Sequence, residues 1–443
     1  MPHITSHDPA LAEESVHFPL SQVDRPQRVL LVSSIGGMLA EVAKYRPSQV
    51  DYVELDPMVA QLQRRFGLLA PTDNLTVIAE DARAYLAGSS ELYDAILVNL
   101  PEPETYQMNR FFTAGFFALA KNRLAPGGVL SFAIEGAANY ISANRQRKLS
   151  SLANAAGTQF DQVLLMPGRR LFFLCSDRLL DTDIPLLLES KGIPTRHIRH
   201  FFRDDLTDRR IRQFNEAVDP GVPPNLDLSP RLMRLAFLGW FQRHGEAPFW
   251  IILLGAAAAF AGMARMTKPQ WVLLTTGCTG IGAEMLAIFT FQAIYGYIYL
   301  QLGVLVTVFL AGMLPGAWIG GRYAGSRRRA LVGADLLLTL LLFLFALLLT
   351  AAPNTLPAAS LYVFGLLISF GCGFQFPMAL GLAGDDAAGA SRSFSADLVG
   401  AALGVLLVSL VLIPFLGMIR TCHCLAGLKL VSSLISGSIH DTN

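Results

Sequence analysis

The spacing of apolar and polar residues divides the chain into two halves. Up to about Gln242 the apolar runs are short and separated by charged or small residues; from Phe249 onward they become long. In the first half, residues 29–32 (VLLV) have the pattern of a strand buried on both faces. A small-residue turn, 33–37 (SSIGG), leads into a helix predicted over 38–45 and broken at Pro47. Residues 50–55 predict a second strand that ends on the acids Glu54 and Asp56. The rhythm continues with a helix over 58–66, a strand over 74–79, a short helix after Asp81 and a strand over 93–99. A proline-rich loop, 100–104, precedes a helix over 109–124 that carries Phe111, Phe112, Phe116 and Phe117. A turn at 125–128, a strand over 129–134, a helix over 146–156 and paired strands over 160–166 and 170–175 complete this half. Alternating strands and helices predict a mainly parallel sheet with helices on both faces.

Ligands of such sheets sit at the carboxyl ends of the strands. The turn after Val32, Glu54, Asp81 and Asn99 all fall on that edge. A small-residue turn that feeds a helix N-terminus lets backbone N–H groups approach a ligand. An acid at the tip of the next strand can accept bonds from ribose hydroxyls. Residues 28–57 therefore predict a nucleoside site, although only Gly36 and Gly37 supply glycine to the turn. Asp81 also suits the N-cap of the helix after it.

Length, charge and cysteines add bounds. The 443 residues exceed one ordinary domain, and a net charge of +1 gives no signal for nucleic acid. Cys175, Cys278, Cys372, Cys422 and Cys424 show no C-x-x-C spacing, so neither a disulfide framework nor a metal site is expected. The N-terminus has no basic segment followed by an apolar one, so no signal peptide is read and the first half is expected in the cytoplasm.

The order of motifs carries a resemblance. VLLV–GG–EV, VELDP, EDAR, YDAILVNLPEP, NRFFT–FF and LAPGGVL follow one another as in the spermidine synthase (polyamine aminopropyltransferase) family. The chain most resembles its membrane-fused bacterial members. The resemblance runs from about Glu14 to Ile134 and implies an α/β Rossmann-like fold, a methyltransferase-type doubly wound sheet. It also implies transfer of an aminopropyl group from decarboxylated S-adenosylmethionine to an amine such as putrescine. By the same resemblance Gly36 and Gly37 border the methionine-derived part of the ligand. Glu54 holds the ribose, Asp81 with Ala82 meets the adenine, and Asn99 and Glu102 take the two acidic catalytic positions. Asn99 departs from the pattern, because an amide cannot act as a general base. The family's preceding β-hairpin region is expected to be missing.

The predicted layout is a Rossmann-like domain over 1–177, a basic connector over 178–246, an all-α multi-pass membrane domain over 247–420 and a tail over 421–443. The connector carries Arg196, His197, Arg199 and further arginines, and reads as a solvated helix pair or a surface for anionic lipid. Trp240 suits a membrane interface. Apolar spans are predicted at 247–264, 271–295, 298–320, 330–352, 358–380 and 396–418, most near the roughly 20 residues a crossing needs. Arg322, Arg327, Arg328 and Arg329 mark a cytoplasmic loop. A cytoplasmic first half then requires 247–264 not to cross, leaving five crossings. Glu284, Gln292 and Asp397 are polar groups within or beside apolar spans, where an acid is a functional candidate. Gly312, Gly316 and Gly320 form a stripe for close helix packing.

The expected function is a transferase at the inner (cytoplasmic) membrane, using decarboxylated S-adenosylmethionine or S-adenosylmethionine as substrate and no metal. Its partners would be a small amine and the lipid bilayer, not nucleic acid, with homo-oligomer formation left open. The alternatives are a transporter or membrane sensor with an impaired nucleoside- or polyamine-binding domain, and an inactive scaffold.

Overall fold

The computed structural model describes residues 8–34, 36–67, 69, 73–136, 140–198, 207–244, 250, 266–296, 299–351, 356–383 and 387–439. The chain divides into two compact units, Met1–Leu226 and Asp227–Asn443.

The first unit opens with α1 (Pro9–Leu20), followed by β1 (Arg28–Val32), α2 (Met38–Ala43), β2 (Gln49–Val53), α3 (Pro57–Arg65), β3 (Leu75–Ile78), α4 (Ala82–Gly88) and β4 (Tyr93–Val98). Next come α5 (Tyr106–Asn109), α6 (Ala114–Lys121), β5 (Leu124–Glu135), α7 (Ala143–Gly157), β6 (Gln162–Pro167) and β7 (Arg170–Ser176). The seven strands lie in the order β3-β2-β1-β4-β5-β7-β6. From β3 to β5 neighbours run parallel; β7 is antiparallel to both β5 and β6. β1 sits at the centre of the five parallel strands because its four apolar residues, Val29 to Val32, have no polar face to offer water. One face packs Leu31, Tyr52 and Leu97 against Ala12 and Val16 of α1 and Met38 and Val42 of α2. On the other face Phe117, Phe132 and Phe173 stack with centroids 4.9 and 4.7 Å apart. Burying each such side chain contributes roughly 1.5–3 kcal/mol.

Two local predictions change. The helix expected over 109–124 is split, because Thr113 caps a new start: its side-chain oxygen accepts the Phe116 N–H at 3.3 Å. The connector also divides. α8 (Ile184–Ser190) buries Ile184 and Leu188 in the same cluster as Phe18 and Phe172, and α9 (Asp208–Glu216) adds Ile211. This stretch is thus part of the first unit's core and not a spacer.

The second unit begins with α10 (Arg231–His244). It then has α11 (Lys268–Tyr295), α12 (Tyr299–Arg322), α13 (Arg327–Ala351), α14 (Ala358–Leu380), α15 (Ala387–Leu406) and, past a wider π-helical turn, α16 (Ile413–Leu416), then α17 (Met418–Gly437). Among the described residues six helices are long and apolar enough to cross a membrane. The predicted span 247–264 and the Trp240 side chain lie outside the described residues. The stretch expected as an unplaced tail is α17, the sixth of these helices. Its mean hydropathy of 1.3, against 2.6 for α13, hid it. The glycine stripe of α12 does pack closely: a Cβ at Gly312, Gly316 or Gly320 would overlap backbone carbonyls of α14 at Leu366, Phe370 and Phe374.

The ends of the helices fall into two groups. Lys268 Nζ donates to the Ser438 carbonyl at 2.8 Å, and Arg327 donates to that of Gly381 at 2.6 Å. The arginine loop, the start of α11 and the end of α17 therefore share one end. At the other end the Met418 N–H donates to the Leu228 carbonyl at 2.9 Å, and the Thr290 hydroxyl meets Met418 Sδ at 3.4 Å. Residues 228 and 268 thus lie at opposite ends of this unit. Reporters fused after Gly325 and after Ser438 are expected on one side of a membrane and a reporter after Gly296 on the other. Matching signals from Gly296 and Gly325 would contradict the assignment.

Candidate active site

The carboxyl rim of the parallel strands gathers most of the predicted residues. Glu54 follows the last residue of β2 and is 9% exposed. Its Oε2 accepts from the Ser33 hydroxyl at 3.0 Å and the Tyr52 hydroxyl at 3.1 Å. Burial, with Glu54 beside it, pushes the Tyr52 phenol up, so it stays protonated and donates. Among the described residues Oε1 has one long contact, the Asp56 N–H at 3.4 Å. The oxygen that could take ligand hydroxyls is thus the less occupied one. Ser33 sits at φ +58° and Gly37 at φ +99°, so the backbone turns sharply before α2. Gly37 is the α2 N-cap, and a Cβ there would stand 3.3 Å from that of Ala12. Gly36 is buried in the same turn.

Asp81 stands one strand further along, after β3. Its Oδ1 caps α4, accepting the Arg83 and Ala84 N–H groups at 3.1 Å each. Its Oδ2 pairs with Arg110 at 2.7 Å; that arginine is 3% exposed. Ala82 follows, buried at the first position of α4. Asp81 is a structural hub, and what it offers a ligand is the edge of a helix start.

Asn99 follows β4, its N–H donating to the Val32 carbonyl at 2.9 Å. It lines a narrow cavity with Ser15, Met38, Ser131 and Ala133. Glu102, in the loop beyond, is held by the Glu135 N–H and by Lys148 of α7. Sequence reasoning missed Lys148 and Arg110. No local signal marks them, because their partners lie 46 and 29 residues away.

In the second unit, Glu284, Gln292 and Asp397 make no side-chain hydrogen bond among the described residues and do not form one group. Glu284 and Gln292 are eight residues apart on one helix, about 12 Å. The structure assembles a different polar centre. Lys429 donates to Asp335 Oδ1 at 2.9 Å, Gln375 Oε1 at 2.8 Å and the Thr276 hydroxyl at 2.9 Å. Asp335 also accepts from Gln375 Nε2 at 2.7 Å, Ser432 at 3.1 Å and Ser436 at 2.8 Å. Lys429 and Asp335 are fully buried.

Sheet order, glycine turn and the acid that follows β2 define a Rossmann-type, methyltransferase-like α/β domain. Residues 9–157 match the spermine/spermidine synthase domain, and the first unit is a spermidine-synthase-like domain. The polyamine aminopropyltransferase of Oceanobacillus iheyensis is 35% identical over 127 residues, 27% of this chain and 25% of that protein. Putrescine N-methyltransferase 2 of Nicotiana attenuata is 36% identical over 126 residues, 27% of this chain and 33% of that protein. A spermidine synthase solved with the transition-state analogue AdoDATO aligns with a TM-score of 0.39 and 16% identity, covering 46% of this chain and 74% of that one. The match spans a quarter to a third of the length of these two curated relatives.

Proposed function

We propose that the first unit binds a sulfonium nucleoside, decarboxylated S-adenosylmethionine or S-adenosylmethionine, and transfers its alkyl group to a small amine such as putrescine. The observation that carries this reading is Glu54, at the tip of β2 beside the α2 turn, with Oε1 largely unspent among the described residues. The two relatives named for aminopropyl and for methyl transfer leave the donated group open. Calorimetry with both nucleosides decides it. Tighter binding of the decarboxylated form supports aminopropyl transfer, and no binding of either overturns the proposal.

Asn99 and Glu102 are the proposed catalytic positions, with Gly36, Gly37, Glu54, Asp81 and Ala82 on the nucleoside. Asn99→Asp is expected to raise aminopropyl transfer about tenfold or more, by restoring a group that can hold an amine proton. Product formation from putrescine measures this; a loss in an active protein would place Asn99 outside the reaction. The second unit is proposed to tether the enzyme in the inner membrane, with the first unit facing the cytoplasm that supplies its nucleoside. The Leu228 end would then be the cytoplasmic one, which puts the loop of Arg322, Arg327, Arg328 and Arg329 on the outside, against the expectation from its charge. The Gly296 and Gly325 reporters test this as well.

A further inference from the structure

The transferase reading lacks a proton acceptor. Asn99 is an amide. Glu102 is spent on Lys148 and the Glu135 N–H, and Asp81 on Arg110 and a helix cap. Another carboxylate stands on the same rim. Glu14 lies on α1, which crosses β4, β5 and β7. Its Oε2 accepts the Arg169 N–H at 2.8 Å, and among the described residues its Oε1 takes no hydrogen bond. Arg169 belongs to the turn between β6 and β7. That turn stands at the carboxyl end of β5, because Glu135 pairs with Arg170 in the antiparallel register. Arg170 ties it to the loop after Asn99, donating to the Leu100 carbonyl at 3.0 Å and to that of Ala133 at 2.8 Å. Ser15, next to Glu14, lines the cavity behind Asn99. Glu14, the hairpin turn and the Asn99 loop thus frame one corner of the rim, beyond the strand that carries Glu54.

We propose that Glu14 is the proton acceptor for the amine substrate, an assignment that rests on the transferase reading. The carboxylate takes a proton from the bound ammonium. The freed nitrogen lone pair then forms the N–C bond to the alkyl carbon, and the C–S bond breaks with its electron pair going to sulfur. The sulfonium leaves as a neutral thioether, the new secondary amine carries the positive charge, and Glu14 returns its proton to water. The charged groups around Glu14 are Arg169, whose guanidinium pairs with Asp8 at 3.2 Å, and Glu13, which is bound to the N–H groups of Arg196, His197 and Ile198. From β5 and β7, Glu135 and Arg170 complete the set. Burial pushes the Glu14 carboxyl up to about 7, against the opposing pull of the Arg169 N–H and charge. A carboxylate raised in this way is a stronger base than an ordinary one.

The test uses the full chain in detergent, with Glu14→Gln and Glu14→Asp. Three quantities are measured between pH 5.5 and 9: nucleoside binding, putrescine binding to the protein loaded with 5′-methylthioadenosine, and transfer. Nucleoside affinity is expected to stay within about twofold. In the wild type, amine affinity should rise as pH passes about 7. Glu14→Gln should abolish that rise and slow transfer by roughly 10²–10⁴-fold, with Glu14→Asp recovering part of it. Amine affinity and transfer that ignore Glu14→Gln overturn the assignment alone. Absence of nucleoside binding in the wild type overturns the transferase reading and the assignment with it. Unfolding supplies a further check. The folded-state value lies above the ordinary 4.5, so this group's stabilisation is full below about 4.5 and lost as pH rises through about 7. Glu14→Gln should therefore melt higher than wild type at pH 8 and level with it near pH 4.5. Equal melting at both would contradict a buried, titrating Glu14.

Discussion

Lys429→Met is expected to destabilise the helical unit by roughly 3–5 kcal/mol, the cost of leaving one member of a buried ion pair without its partner. All three ammonium donors are spent, on Asp335, Gln375 and Thr276. Removing them strands a carboxylate that only neutral donors then serve, Gln375, Ser432 and Ser436. Both side chains are fully buried, so the stranded charge is out of reach of bulk solvent. The double change Lys429→Met with Asp335→Leu should recover most of the loss, because it removes both charges and keeps the volume. Unfolding of the purified chain in detergent measures both. A single variant as stable as the wild type would show that the pair is not buried in the folded protein. The pair joins α13 to α17, and through Gln375 and Thr276 it also draws in α14 and α11. Helices far apart in sequence are thereby fixed in one register by a polar clamp.

Glu54→Gln should weaken nucleoside binding by about 10²-fold or more. A hydroxyl bonded to a carboxylate contributes roughly 1.5–3 kcal/mol, and a ribose offers two. The replacement also disturbs the wall behind the site. Ser33 and Tyr52 both point donors at Oε2, and an amide NH₂ placed there would face donors on both sides. Calorimetry on the variant, with circular dichroism to confirm the fold, makes the measurement. An affinity within about threefold of wild type would mean that the ribose is held elsewhere.

The parallel core was legible because its strands are short apolar runs between turn residues, and a strand buried on both faces has no other pattern to show. Val29 to Val32 and the strand ending at Glu54 could be read directly. The break at Thr113 could not, since phenylalanines on both sides of it kept a helical periodicity and only the side-chain cap marks the new start. At the rim the sequence showed which acids were present but not which were already engaged. Arg110 and Lys148 reach Asp81 and Glu102 from other elements, and that pairing exists only once the chain is folded. Glu14 was hidden in the same way: nothing on a helix before β1 indicates that it will meet a turn more than 150 residues later. α17 was obscured by its own polar residues, Thr421, Lys429, Ser432, Ser433 and Ser436, all buried among other helices.

The bond from Lys268 to the Ser438 carbonyl has a topological meaning. The start of α11 and the close of α17 are within touching distance, so the six long helices form a loop that is almost closed in space. Chain continuity at that point is then a matter of sequence order and not of architecture. A short linker from 438 to 268, with new termini opened in one of the surface turns, would leave every helix-to-helix contact intact. The order in which the six helices are synthesised is thus separable from the order in which they pack.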